Sequence, residues 1–229
     1  MKNLNPIIIC IVLQVLCISS AVHGSPLTKK YLRADSTIKN VPAESPKFIR
    51  VHFLYGSRPA AKYRFIEPKW FGGMLGGHVG IGIDSSRILN FVHRGSFHLV
   101  TNKNNKHSNY IISTPEKFNS ILGGNSDKVK TLTILIPIKE AQSKLLDSIS
   151  SAYLKSSPYD YALFGMRCGA ASYDILSQLC ILPSCNYNQA ARKIFYPKIL
   201  RRQLLKKARE NGWVMIRHEG GTQRVWEMD

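Results

Sequence analysis

The chain has 229 residues and a mass of 25.8 kDa, and 44% of it is hydrophobic, which suits the core of one ordinary domain and excludes wholesale disorder. Lys and Arg outnumber Asp and Glu by 32 to 14, for a net charge of +18 and a pI near 9.9. That excess points to anionic surroundings without choosing among nucleic acid, acidic lipid and anionic glycan.

Residues 1–24 start with Lys2, run apolar from Ile7 to Ile18, and end in the small residues Ser19-Ser20-Ala21-Val22-His23-Gly24. This pattern predicts a secretory signal peptide cut after Gly24 or Ala21. Its apolar run of about a dozen residues falls short of the roughly 20 that span a bilayer, which argues against a retained anchor. Leu16 is bulky where a lipid-attachment site at Cys17 takes a small residue. The expectation is an exported protein, periplasmic or secreted, with one charge fewer once Lys2 is removed. Cleavage also removes Cys10 and Cys17, leaving Cys168, Cys180 and Cys185. An odd count in an exported chain suggests a reactive thiol beside one disulfide, or several buried thiols. Cys180 and Cys185 flank Leu182-Pro183 and are either a disulfide pair or two small core residues. Their spacing lacks the second Cys/His pair of a zinc site, and no metal or organic cofactor is implied.

Residues 25–46 are polar, carry Pro26, Pro42 and Pro46, and read as a flexible leader to a domain over 47–229. Phe48–Tyr55, Gly77–Asp84, Arg87–His93, Ser96–Val100 and Lys130–Ile138 have the β-branched and aromatic content of strands, with a hairpin turn at Asp84-Ser85-Ser86-Arg87 and a polar loop over Asn102–His107. Helical spacing follows. Ile138, Ala141, Leu145, Ile149, Ala152 and Tyr153 share one face; Cys168, Ala171, Ser172, Ile175, Leu176 and Leu179 share another, stopped by Pro183. A basic helix over Lys198–Glu210 ends at Asn211-Gly212, and Trp213–Ile216 reads as a last strand. The predicted class is α+β, an antiparallel sheet packed against helices.

Cys168 opens its helix, where unpaired N–H groups and the macrodipole favour thiolate over thiol and can stabilise an oxyanion; Arg167 beside it adds positive potential. His78 opens its strand inside GGMLGGHVGIGID, where glycines 76, 77, 80 and 82 strip side chains from around the imidazole and so admit a substrate backbone. A Cys–His pair needs a third polar group to orient the ring. Asn90, a lone amide in the apolar strand Ile88-Leu89-Asn90-Phe91-Val92, falls beside His78 if the two strands form a hairpin; His98 and His93 compete for the role. Tyr159 and Tyr161, upstream of Cys168, are either substrate contacts or core aromatics, and Gly77 is a further substrate-side candidate.

The string GGHVGIGID, a polar residue twelve positions past its histidine, and the later helix RCGAASYDIL resemble the circularly permuted branch of the NlpC-type papain-like cysteine hydrolases, which includes lecithin-retinol-acyltransferase-like proteins and bacterial relatives. The resemblance covers roughly Phe48 to Pro183, and the order His78, Asn90, Cys168 matches the permuted form. Asn90 departs from the His or Glu usual at the third position, although papain-like proteases use an amide there. The resemblance implies a permuted papain-like fold and thiol attack on an acyl carbon. Cys168 is then the nucleophile, His78 the base and acid, Asn90 the orienter, and a thioester the intermediate. The expected activity is that of an amidase or peptidase on a peptide or acyl substrate, with peptidoglycan peptides as the first candidate. Lipid acyl hydrolysis or transfer is the alternative enzyme, although no segment of the mature sequence reads as the apolar rim or anchor of a membrane-active protein. A non-catalytic module binding anionic surface polymer through Arg192-Lys193, Lys198, Arg201-Arg202, Lys206-Lys207 and Arg209 is the third reading. No nucleic-acid motif of the usual kinds is present.

Overall fold

Period-two alternation of apolar residues builds the sheet around which the domain is organised. The computed structural model describes residues 47–66, 76–96, 98–122 and 128–229, all within the unit Pro46–Asp229. The expected signal peptide, the leader and glycines 72 and 73 lie outside the described residues. The strands of the main sheet are β1 (Lys47–Leu54), β3 (His78–Gly82), β4 (Ile88–His93), β5 (Ser108–Ser113), β6 (Thr131–Ile138) and β7 (Val214–His218). Their order is β5-β4-β3-β1-β6-β7, with every neighbouring pair antiparallel. A second, two-stranded sheet pairs β2 (Ser57–Pro59) with β8 (Arg224–Trp226). The helices are α1 (Pro115–Asn119), α2 (Glu140–Lys155), α3 (Cys168–Gln178), α4 (Tyr187–Lys193) and α5 (Pro197–Asn211).

The fold is therefore the expected α+β arrangement. One face of the sheet, with Ile49, Val51, Phe53, Val79, Ile81, Leu89, Phe91, Leu132, Ile134 and Ile136, is buried against apolar residues of α2, α3 and α5. The opposite face carries a smaller cluster of Leu54, Ile88, Phe118 and Val129. Gly80 pairs with Asn90 across β3 and β4. His78, Gly80 and Asn90 thus share the second face, because side chains alternate along a strand.

The expected strand at Ser96–Val100 is not formed. Among its described residues, His98 makes only an isolated bridge to Ala162, and its backbone serves residues further along: Leu163 N–H donates to the His98 carbonyl and Phe164 N–H to that of Leu99. The sheet continues instead through β5, whose sequence SNYIIS the sequence reading passed over. Across it, Asn90 pairs with Ile111 and Phe91 with Tyr110. The short helices α1 and α4 and the β2–β8 pair were also not anticipated.

Two glycines have roles other than the one expected. Gly77 holds a φ of +69°, and a Cβ there would lie 2.0 Å from the Leu54 carbonyl oxygen. At Gly80 the added atom would meet Ile88 Cγ2 at 2.7 Å and Phe118 Cε2 at 2.8 Å. The space the glycines leave is filled by the protein's own backbone and by the Phe118 ring, not held open for a substrate.

Candidate active site

The sequence places a thiol, an imidazole and an amide at three distant positions, and the fold brings them together. Cys168 is the first residue of α3, after an extended Arg167. His78 is the first residue of β3, so its ring stands at the end of the sheet, where the N-terminus of α3 arrives. The Cys168 sulfur hydrogen-bonds the His78 ring, the Val79 N–H and the Tyr161 hydroxyl. Cys168, His78 and Asn90 are 4%, 6% and 1% exposed.

Asn90 fixes the protonation pattern of this group. Its Nδ2 donates to the Ile88 carbonyl at 3.3 Å, the Ile111 carbonyl at 3.3 Å and Ser113 Oγ at 3.2 Å. With acceptors gathered around Nδ2, the amide cannot flip, and Oδ1 must face the imidazole. His78 Nε2 lies 3.4 Å from that oxygen and donates its proton to it. Nδ1 is then the unprotonated nitrogen left for the thiol. Phe118 covers the ring, with centroids 5.5 Å apart.

Burial would push the Cys168 thiol up, but the imidazolium that forms when His78 takes the thiol's proton, together with the Val79 N–H and the Tyr161 hydroxyl, favours the thiolate more and holds the thiol below its ordinary range. Tyr161 also accepts from the Cys168 backbone N–H, so its hydroxyl marks the place where an oxyanion on an attacked carbonyl would find a donor. The Arg167 guanidinium turns aside onto Phe195, 3.7 Å from the ring centroid, and lies 5.0 Å from that of Tyr196.

The other candidates separate. His98 Nδ1–H donates to Asp160 Oδ2 at 2.6 Å, and its ring stacks on His107 with centroids 4.0 Å apart. His93 is exposed, 5.9 Å from the Tyr161 ring centroid. Of the three candidate orienters, Asn90 is the one placed on His78. Tyr161 reaches the thiol, whereas Tyr159 is a core residue whose hydroxyl meets Tyr110 and, at 3.5 Å, the half-buried Asp174 carboxylate. Gly77 serves backbone packing. Cys185 interacts with Tyr173, and no disulfide is present among the described residues.

Ser113, Phe118 and the Val79 N–H belong to the site and went unnoticed in the sequence. Ser113 was discoverable in principle, since it faces the sheet position next to Asn90 once SNYIIS is read as a strand. Among the described residues, no group of three or more His, Cys, Asp and Glu side chains is placed to hold a metal ion. No helix among them is long and apolar enough to cross a membrane. No family model, curated protein or solved structure matches the chain.

Proposed function

We propose that this chain is an exported cysteine hydrolase that cleaves an amide or peptide bond through a thioester, with cell-wall peptides as its first candidate substrate. The supporting observation is the hydrogen-bonded series Cys168, His78, Asn90 on the N-terminus of α3 and the start of β3. The order of these residues along the chain is that of the permuted NlpC-type enzymes, which adds to the reading.

In this mechanism the Cys168 sulfur attacks the acyl carbon as its proton passes to His78 Nδ1. The oxygen of the tetrahedral intermediate is stabilised beside the Cys168 N–H and Tyr161. The intermediate collapses, the C–N bond breaks, and the imidazolium gives its proton to the departing amine. His78 then takes a proton from water, which attacks the thioester and releases the acid and the thiol. Asn90 touches neither substrate nor thiol; it holds the ring and its tautomer.

Alkylation kinetics test the pair. Iodoacetamide should label Cys168 much faster than Cys180 or Cys185 near neutral pH, and His78→Ala should slow that labelling. Equal labelling of the three, or protection of Cys168, would overturn the nucleophile assignment. Substrate class needs a second assay, in which wild type, but not Cys168→Ala, should release peptides from cell-wall fragments by mass spectrometry.

A further inference from the structure

Three segments converge beside the thiol. Residues 98–107 and 157–168 are joined by the hydrogen bonds from Leu163 N–H to the His98 carbonyl and from Phe164 N–H to that of Leu99. The segment 186–198 joins them through Phe195, which holds the Arg167 guanidinium and lies 6.4 Å from the Phe164 ring centroid. On this face Leu99, Val100 and Phe164 are 63%, 66% and 68% exposed. A folded chain places three large apolar side chains on abutting backbone in water only at a free-energy cost, and such a patch marks an interaction surface.

The exposed charges of these three segments are of one sign. Lys103, Lys106, Arg192, Lys193 and Lys198 belong to these three segments, Arg167 being turned inward onto Phe195, and their one acidic residue is Asp160. Asp160 is buried and already engaged by His98 and by the N–H groups of Asn102 and His107. No carboxylate of these segments therefore reaches solvent. Lys103 and Lys106 also line a cavity of about 570 Å³ together with Thr101, Tyr187 and Asn188, the engaged Asp160 carboxylate lying in its wall.

We propose that this face is a docking surface for an anionic lipid bilayer, with Leu99, Val100 and Phe164 entering the headgroup layer and the surrounding lysines and Arg192 meeting its acidic groups. Apolar exposure and unopposed positive charge together select a lipid surface over a purely ionic polymer, which would need only the charge. The surface stands independently of which acyl bond the thiol attacks, and it would keep that thiol next to the membrane.

Vesicle co-sedimentation of the full chain tests this, with phosphatidylcholine alone compared with phosphatidylcholine containing about a third phosphatidylglycerol. The variants are Leu99→Ser/Val100→Ser/Phe164→Ser and Lys103→Glu/Lys106→Glu, all retaining the same residues 1–46, with folding checked by circular dichroism. Binding should require the anionic lipid, and each variant should weaken it by about tenfold or more. Unchanged binding in the apolar variant would overturn the proposal, as would equal affinity of wild type and that variant for heparin and for the vesicles. Because the readout is sedimentation, Cys168→Ala should bind as wild type does, whatever becomes of the hydrolase reading.

Discussion

Asn90 carries more of the site than its neutral side chain suggests. Its amide spends both protons on the partners gathered around Nδ2, and its single oxygen holds the imidazole. Replacing it with Ala leaves the Ile111 carbonyl and Ser113 Oγ without their donor in a buried place, at about 1–3 kcal/mol of stability. The same change frees the His78 ring to rotate. In Asn90→Ala the rate of Cys168 alkylation against pH should inflect closer to the ordinary thiol value of about 8.5, whereas wild type inflects below it. Ser113→Ala, which removes one of the amide's acceptors, should move the inflection less. An unchanged profile in Asn90→Ala would remove the orienting role. The residue choice was legible in the sequence because an amide among Ile, Leu, Phe and Val demands partners. Those partners were not, since they lie on a strand whose alternation is masked by the polar loop before it.

Elements were easiest to read where their period was clean and hardest where tertiary contacts set them. Helix α3 was located to within a residue of its end by the spacing from Cys168 to Leu179 and the stop at Pro183. By contrast, His98–Val100 has strand composition, but its backbone is committed to the Asp160 segment, a preference that local propensity cannot register. Beyond the end of α3, Cys180 occupies the left-handed position at φ 56°, where glycine is the unstrained residue, and its N–H donates to the Ser177 carbonyl at 3.0 Å. Cys180→Gly relieves a left-handed penalty of about 1–2 kcal/mol against an entropic cost of about 0.5–1 kcal/mol, and should raise stability by the small difference in thermal or denaturant unfolding. No gain in midpoint would mean that the strain is absorbed elsewhere. A second element-level test concerns α5, where Arg201 is fully buried and donates to Glu227 at 2.8 Å and Asp229 at 2.9 Å while stacking on Tyr55. Breaking this group with Glu227→Ala leaves a buried guanidinium short of its main partner and should cost about 3–5 kcal/mol, read as a fall in the denaturation midpoint. The sequence alone set Arg201 among the basic residues that could bind an anionic polymer, because a charge run does not announce which of its members faces inward.

Across the whole domain, acid should act in two steps. Burial, with Arg50 nearby, lowers His52 from 6.5 to about 4, so the unfolded chain accepts a proton that the folded one refuses. Its contribution to stability is complete above about pH 6.5 and is lost as the pH falls toward 4. Asp160 follows. Burial opposes its charge, but His98 and the N–H groups of Asn102 and His107 hold its carboxyl below the ordinary range. Its contribution is present above the unfolded value of about 3.9 and disappears as the pH drops through the lower folded value. Urea titrations at a series of pH values should resolve both losses, and His52→Asn should remove the first while leaving the second. The apolar patch was invisible in the sequence for a related reason of scale: Leu99 and Val100 come from one segment and Phe164 from another, and only the assembled face joins them. The same separation governs how the sheet forms. Its inner strand β1 aligns Val51 with Ile81 on one side and Ile134 on the other, partners about 30 and about 80 residues later in the chain. Contacts of such separation fold more slowly than the local contacts of a helical bundle, because the loop-closure entropy is lost before they form. The topology that gathers the thiol and the imidazole into one site is thus also the part of the fold that closes last, after its most distant partners have been made.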